Sequence, residues 1–248
     1  MIGAGCWLIL PTESQAAELD EILERGYLVV GVKDNTQPLG FRDQSGALVG
    51  FEIDLARQLA VDLFGTPEAL RLEPLTNQER LPRLAANDVD MVIARVSVTT
   101  PRARLVDFSV PYYLDGTAFV TQRYEVVDIS DLQGQTVAVL NGSSTIDVVR
   151  SRLSEVRLIG VDSYQAALEQ METGAVAAFA ADVSILSGWV QEYPDYRILP
   201  TLISADALAV AMPRGLQYLE LRQWVNESLE EWTATGWLED RMRYWGLP

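Results

Sequence analysis

Asp90-Met-Val-Ile-Ala-Arg-Val-Ser-Val-Thr-Thr-Pro-Arg102-Ala-Arg-Leu-Val-Asp107-Phe-Ser-Val-Pro-Tyr-Tyr113 runs from an apolar segment straight into hydroxyls and one arginine. Residues 90–98 have the length and composition of a buried strand, which puts Ser97, Thr99 and Thr100 where that strand emerges at the carboxyl edge of a sheet. Ligands gather at such edges in α/β folds. Arg102 follows within one turn. A guanidinium holds a carboxylate with two parallel hydrogen bonds, while nearby hydroxyls and amides take the remaining lone pairs. The plainer alternative is a surface arginine after a turn.

Working outward, the sequence predicts a short helix over 18–26, a strand over 27–32, a turn at 34–38 and a hairpin over 41–49 turning on Asp43-Gln-Ser-Gly46. Asp54 is placed to cap the next helix, in which Leu55, Leu59 and Leu63 share one face. A strand over 70–75 and a helix over 79–86 lead back to the opening stretch. Past Tyr113 a second series follows: strand 136–140, turn Asn141-Gly-Ser-Ser144, helix 146–153, strand 156–161, helix 163–173 and strand 177–181. This βαβ alternation implies mainly parallel sheets flanked by helices. A strand over 207–212 has no partner in the second series, so the chain is expected to return to the first. Helices over 217–235 and 237–244 close it. The domain reading is therefore 18–113 with 207–248 as one lobe, 114–206 as the other, and 1–17 as a separate leading segment.

Composition narrows the chemistry. At 248 residues the chain is long enough for two lobes of roughly 100 residues each. A net charge of −16 argues against nucleic acid as a partner, because phosphate binding needs clustered Lys and Arg. Histidine is absent, which removes the usual general base and metal ligand and disfavours hydrolase triads and zinc chemistry. The single cysteine, Cys6, leaves no internal disulfide and no CxxC spacing. No metal and no cofactor is implied. The apolar start of the chain, with small residues ahead of polar sequence, looks like an export signal lacking its basic beginning. Cleavage near Ala16, lipidation of Cys6 within Gly3-Ala4-Gly5-Cys6, and a non-native start remain open.

Taken together, these pieces resemble the periplasmic solute-binding proteins of polar amino-acid ABC transporters (bacterial extracellular solute-binding proteins, family 3), over nearly all of residues 22–246. Five matches in family order carry the resemblance: Gly50-Phe51-Glu52-Ile53-Asp54-Leu55 with Leu59-Ala60 and Leu63; residues 84–90; Thr100-Pro-Arg102 with Asp107-Phe-Ser109; Gly142-Ser-Ser144; and the closing Gly236 to Trp245-Gly246. The resemblance implies a two-lobed periplasmic-binding-protein-like α/β fold with two crossover hinge strands, closing on its ligand. It also implies a periplasmic, monomeric protein that binds a free amino acid and docks on a membrane permease. The chain's end matches that of the family's free proteins. A sensor lobe of a larger receptor or a permease fusion is the other arrangement the resemblance permits.

Carried over residue by residue, the family's α-carboxylate arginine falls on Arg102, supported by Ser97, Ser143 and Ser144, and its α-ammonium acid falls on Asp182. The residues themselves support this, since Asp182 ends an apolar strand where an unpaired acid would be costly. An N-cap role for Asp182, and for the serine turn, is the structural alternative. Several positions depart from the family. Lys33 stands where relatives of basic or amide specificity carry an acid, Thr36 and Asn77 stand where aromatic rings often sandwich the ligand, and Arg95 stands where glycine is common. Arg80 matches an arginine that acidic-amino-acid binders use. If Lys33, Arg80 and Arg95 face the cleft, glutamate or aspartate is the expected ligand. Lys33 and Arg80 each also have an acidic neighbour, Asp34 and Glu79, and would then be solvated local pairs. Another polar amino acid such as glutamine, or a cyclohexadienyl-dehydratase-like enzyme using Asp182 or Glu52, are the alternatives.

Overall fold

Ten of the strands form two five-stranded sheets, and the chain crosses between them twice. The computed structural model of the protein describes residues 18–248. The export-signal and lipid-anchor readings, Cys6 included, fall on residues 1–17 and lie outside the described residues.

The chain opens with α1 (Leu19–Arg25) and β1 (Leu28–Val32). A small antiparallel sheet of β2 (Asn35–Thr36), β3 (Gly40–Arg42) and β4 (Leu48–Val49) precedes α2 (Phe51–Phe64). Next come β5 (Leu70–Pro74), α3 (Arg80–Ala85) and β6 (Met91–Ile93). The long β7 (Asp107–Asp115) leads through Gly116 into β8 (Thr117–Thr121). The second series is β9 (Thr136–Leu140), α4 (Thr145–Arg152), β10 (Arg157–Val161), α5 (Tyr164–Glu172), β11 (Ala178–Asp182), α6 (Val183–Glu192) and β12 (Arg197–Ile198). The chain ends in β13 (Asp206–Met212), α7 (Leu219–Ala234) and α8 (Trp237–Tyr244).

The first sheet has the order β5-β1-β6-β13-β7 and the second β10-β9-β11-β8-β12. In each, three parallel strands are joined by two that pair antiparallel. All five residues of β1 are buried, as expected of a strand covered on both faces. Phe51, Leu55 and Leu59 repeat every four residues along α2 and are buried with Ala56 and Ala60, which fixes that helix against the first sheet. β13 lies between β6 and β7, so the chain does return to its first sheet. The two crossings run side by side: Ile203 N–H donates to Thr117 O at 2.9 Å, and Thr117 N–H to the Ser204 hydroxyl at 2.8 Å.

Three sequence expectations need correction. The strand expected over 90–98 stops at Ile93, because Arg95 takes φ 51°, outside the extended region. Ser97 keeps only an isolated bridge to Leu208 of β13. Asp54 does not cap α2, which begins at Phe51 with Gly50 at the cap position; its carboxylate accepts from the Trp245 indole N–H at 2.8 Å. The sequence reading also passed over β7, β8 and β12, and gave the helix after Asp182 no bounds.

Candidate functional site

The loop that leaves β6 is fixed from behind by a buried acid. Arg95 N–H donates to Glu52 Oε1 at 2.6 Å, and the Tyr112 hydroxyl donates to the same oxygen at 2.6 Å. Glu52 is 0% exposed, and its Oε2 finds no hydrogen-bond partner among the described residues. Burial pushes its carboxyl above the ordinary range, and pushes Tyr112 well above its own. Arg80, on α3, is also buried. Its Nη1 donates to Ala94 O at 2.5 Å and Arg95 O at 2.8 Å, so it holds the same loop from the side. Burial, followed by the Arg102 charge, lowers Arg80 to about 10. Arg102 sits just past Pro101, where a short helical turn begins. Its Nη1 donates to Ser97 O at 3.0 Å, which leaves the other guanidinium nitrogens without a hydrogen-bonded side chain among the described residues.

The second sheet faces this loop with the turn after β9 and the end of β11. Ser143 and Ser144 precede α4, whose first amides have no intrahelical acceptors. The Ser143 hydroxyl oxygen is buried without a hydrogen-bond partner among the described residues. Asp182 is both the last residue of β11 and the residue before α6, yet its side chain makes no capping bond. It pairs instead with the Arg95 guanidinium from the other sheet. Arg95 Nε also lies 3.5 Å from Asp115 Oδ2, at the end of β7. Asp115 is firmly held: Oδ1 accepts from Gly116 N–H at 2.9 Å and Ser184 N–H at 3.1 Å, and Oδ2 from the Ser184 hydroxyl at 2.6 Å.

Between the sheets lies a cavity of about 360 Å³. Asn77, Arg80, Arg95, Ser97 and Arg102 line it from one side, and Ser143, Ser144 and Asp182 from the other. Eight of the nine residues singled out in the sequence thus meet at one place. Lys33 does not: it is 7% exposed, and its ammonium donates to Leu75 O at 3.1 Å, away from the cavity. Burial, and then the Arg80 charge, lower its pKa. Thr36 lines a neighbouring cavity of about 350 Å³ with Tyr164 and Trp189. Sequence reasoning missed Asp115, Thr145, Tyr164 and Asp206, which also line the first cavity. The Asp115-Gly116 pair between two apolar strands was the available signal.

Three guanidiniums and three carboxylates therefore face one small space. The arrangement offers a carboxylate the unpaired edge of Arg102 and the open amides at the start of α4. It offers a cation Asp182. Among the described residues no group of three His, Cys, Asp or Glu side chains is set to hold a metal ion.

Residues 28–248 match the model of the bacterial extracellular solute-binding proteins, family 3. The chain is 26% identical over 236 residues to the ABC transporter glutamine-binding protein of Bacillus subtilis (strain 168), covering 94% of this chain and 86% of that one. It is 27% identical over 231 residues to an L-cystine-binding protein of Escherichia coli (strain K12), covering 92% and 85%. A solved structure of an ancestral cationic amino acid solute-binding protein superposes with a TM-score of 0.79 at 26% identity, covering 92% of this chain and 98% of that one. With a family model matched from β1 to the last residue, the chain belongs to the bacterial extracellular solute-binding proteins, family 3.

Proposed function

We propose that the cavity between the two sheets captures a free acidic amino acid, glutamate or aspartate, and that closure of the lobes around it presents it to the membrane permease of an ABC import system. The protein is an extracytoplasmic amino-acid-binding component of ABC transport. The ligand class rests on one observation, that Arg80, Arg95 and Arg102 line a single cavity with Asp182 opposite. In this reading Arg102 and the start of α4 hold the α-carboxylate, Asp182 takes the α-ammonium, and the remaining guanidiniums meet a second carboxylate. The lobes that hinge are 18–113 with 207–248, and 114–206. Ligand favours the closed arrangement because only there do both of its charged ends find partners.

Glutamine is the second reading, supported by the glutamine-binding relative and by the fact that Arg95 is already neutralised by two acids. A dehydratase is less well supported. Glu52 is sealed from the cavity, Asp182 is held by Arg95, and no histidine exists to share acid and base duties. Titration calorimetry with glutamate, aspartate, glutamine, lysine, cystine and leucine tests the assignment. Heat of binding is expected for the two acids first; binding of lysine or leucine with none for either acid rejects it. Incubation with prephenate is expected to yield no aromatic product.

A further inference from the structure

Arg95 bridges the two halves of the site through its own side chain. Its backbone sits at φ 51°, a conformation that side chains other than glycine rarely adopt, and Glu52 and Arg80 pin the loop on both flanks. The guanidinium is thereby directed across the cavity, where it meets Asp115 at the crossing and Asp182 on the second sheet. These acids are not equivalent. Asp115 is 2% exposed and saturated by Gly116 and Ser184, so it cannot move. Asp182 makes no capping bond, and Arg95 is its ion-pair partner among the described residues. The guanidinium therefore sits where an entering ammonium would have to go.

We infer that Arg95 selects the ligand by exchanging partners: its guanidinium holds the cation position at Asp182, and an entering amino acid displaces it there and supplies a second carboxylate in return. This rests on the reading of the cavity as an amino-acid site with Asp182 as the ammonium acceptor. Two cations cannot share one carboxylate in a confined space at low cost, so the guanidinium must swing away while its Nε end stays near Asp115. A displaced guanidinium that finds no anion is a poorly compensated charge. Glutamate and aspartate carry that anion. Glutamine offers only an amide oxygen, and lysine adds another cation to a space already holding Arg80, Arg95 and Arg102.

The test is titration of wild type, Arg95→Gly and Arg95→Lys with glutamate, aspartate and glutamine. Glycine suits the local φ, so Arg95→Gly is expected to fold, and a thermal melt checks it. Wild type is expected to prefer glutamate to glutamine. In Arg95→Gly that preference falls at least tenfold, because glutamate loses its partner and glutamine no longer has to displace one. Arg95→Lys falls between the two. A wild type that binds glutamate with a glutamate-to-glutamine ratio unmoved in Arg95→Gly overturns this inference alone. A wild type that binds no amino acid overturns the reading of the site and the inference together.

Discussion

Among the described residues the Arg102 guanidinium makes one hydrogen bond, the 3.0 Å bond to Ser97 O, and it lines the cavity. Its side chain contributes little to folding and, in the proposed site, the two parallel bonds that a carboxylate needs. Lysine keeps the charge but not the fork. Arg102→Lys is expected to weaken glutamate binding at least tenfold while leaving the melting temperature within about 4 °C of wild type, since one exposed-edge hydrogen bond is worth only about 1 kcal/mol. Equal affinity for the two proteins would remove Arg102 from the site. Glu52 makes the opposite case, a buried acid that acts through the loop it fixes. Its folded pKa is raised above the ordinary 4.5 by burial, so the folded protein holds this proton more tightly than the unfolded chain. The contribution to stability is then greatest below 4.5 and declines as pH rises toward the folded value. Gln keeps the acceptor for Arg95 N–H and Tyr112 but does not titrate. The stability of Glu52→Gln relative to wild type should therefore grow as pH rises above 4.5, by at most about 1.4 kcal/mol per pH unit, in urea unfolding at a series of pH values. A flat difference would show that Glu52 titrates normally.

At the scale of elements, the crossing from β7 to β8 is the tightest joint. A Cβ built on Gly116 would lie 2.2 Å from Ser204 O, a backbone atom of the return crossing that cannot step aside. Gly116→Ala is expected to destabilise the fold by about 1–3 kcal/mol, as overpacking does, and to slow or limit lobe closure, read by denaturant unfolding and by small-angle scattering with and without glutamate. Unchanged stability would mean that the two crossings separate easily. The sequence exposed the parallel units because each strand there is a short apolar run followed by an amphipathic helix, and 136–140 was read with the bounds that β9 shows. It hid β7 because Asp107, Ser109, Pro111 and Asp115 interrupt the apolar pattern. Two irregularities of register against β13 accommodate that strand, and register is a property of the pair, not of one segment. It left α6 without bounds because Asp182 ends β11 and starts the helix with no turn residues between them. The site was more legible than the elements around it: Arg102, Asp182 and the serine turn are short-range signals at strand ends. Lys33 misled because its position at the end of β1 says nothing about which way a long flexible side chain turns. Asp115 was missed because its importance comes from Arg95 and Ser184, which are distant in sequence and meet it only in the folded chain.

At the scale of the whole molecule, ligand binding and the charge of the chain work against each other. A ligand that binds only the folded protein adds about 2.7 kcal/mol at a hundredfold excess over Kd, which for a protein of this size raises the melting temperature by roughly 5–10 °C. The same experiment with leucine should give little or no shift, because the cavity is lined mainly by charged and polar side chains, with only Leu140 and Tyr164 offering an apolar side chain any contact. The approach is another matter. The chain carries a net charge of −16, so an anionic amino acid is repelled at long range and attracted only within reach of the arginines lining the cavity. Salt screens the long-range part first: the Debye length falls from about 30 Å at 0.01 M to about 8 Å at 0.15 M, while partly buried charges are screened far less. The association rate for glutamate should therefore rise severalfold over that range of ionic strength, measured by stopped-flow tryptophan fluorescence, with Trp189 near the cleft as a reporter. A cationic amino acid would show the reverse, a rate that falls as salt is added, because screening weakens its steering. The sign of the glutamate slope thus reads which charges of the protein govern the approach, independently of any affinity. A glutamate rate that falls with salt would show that the arginines lining the cavity, and not the net charge of the chain, dominate the approach.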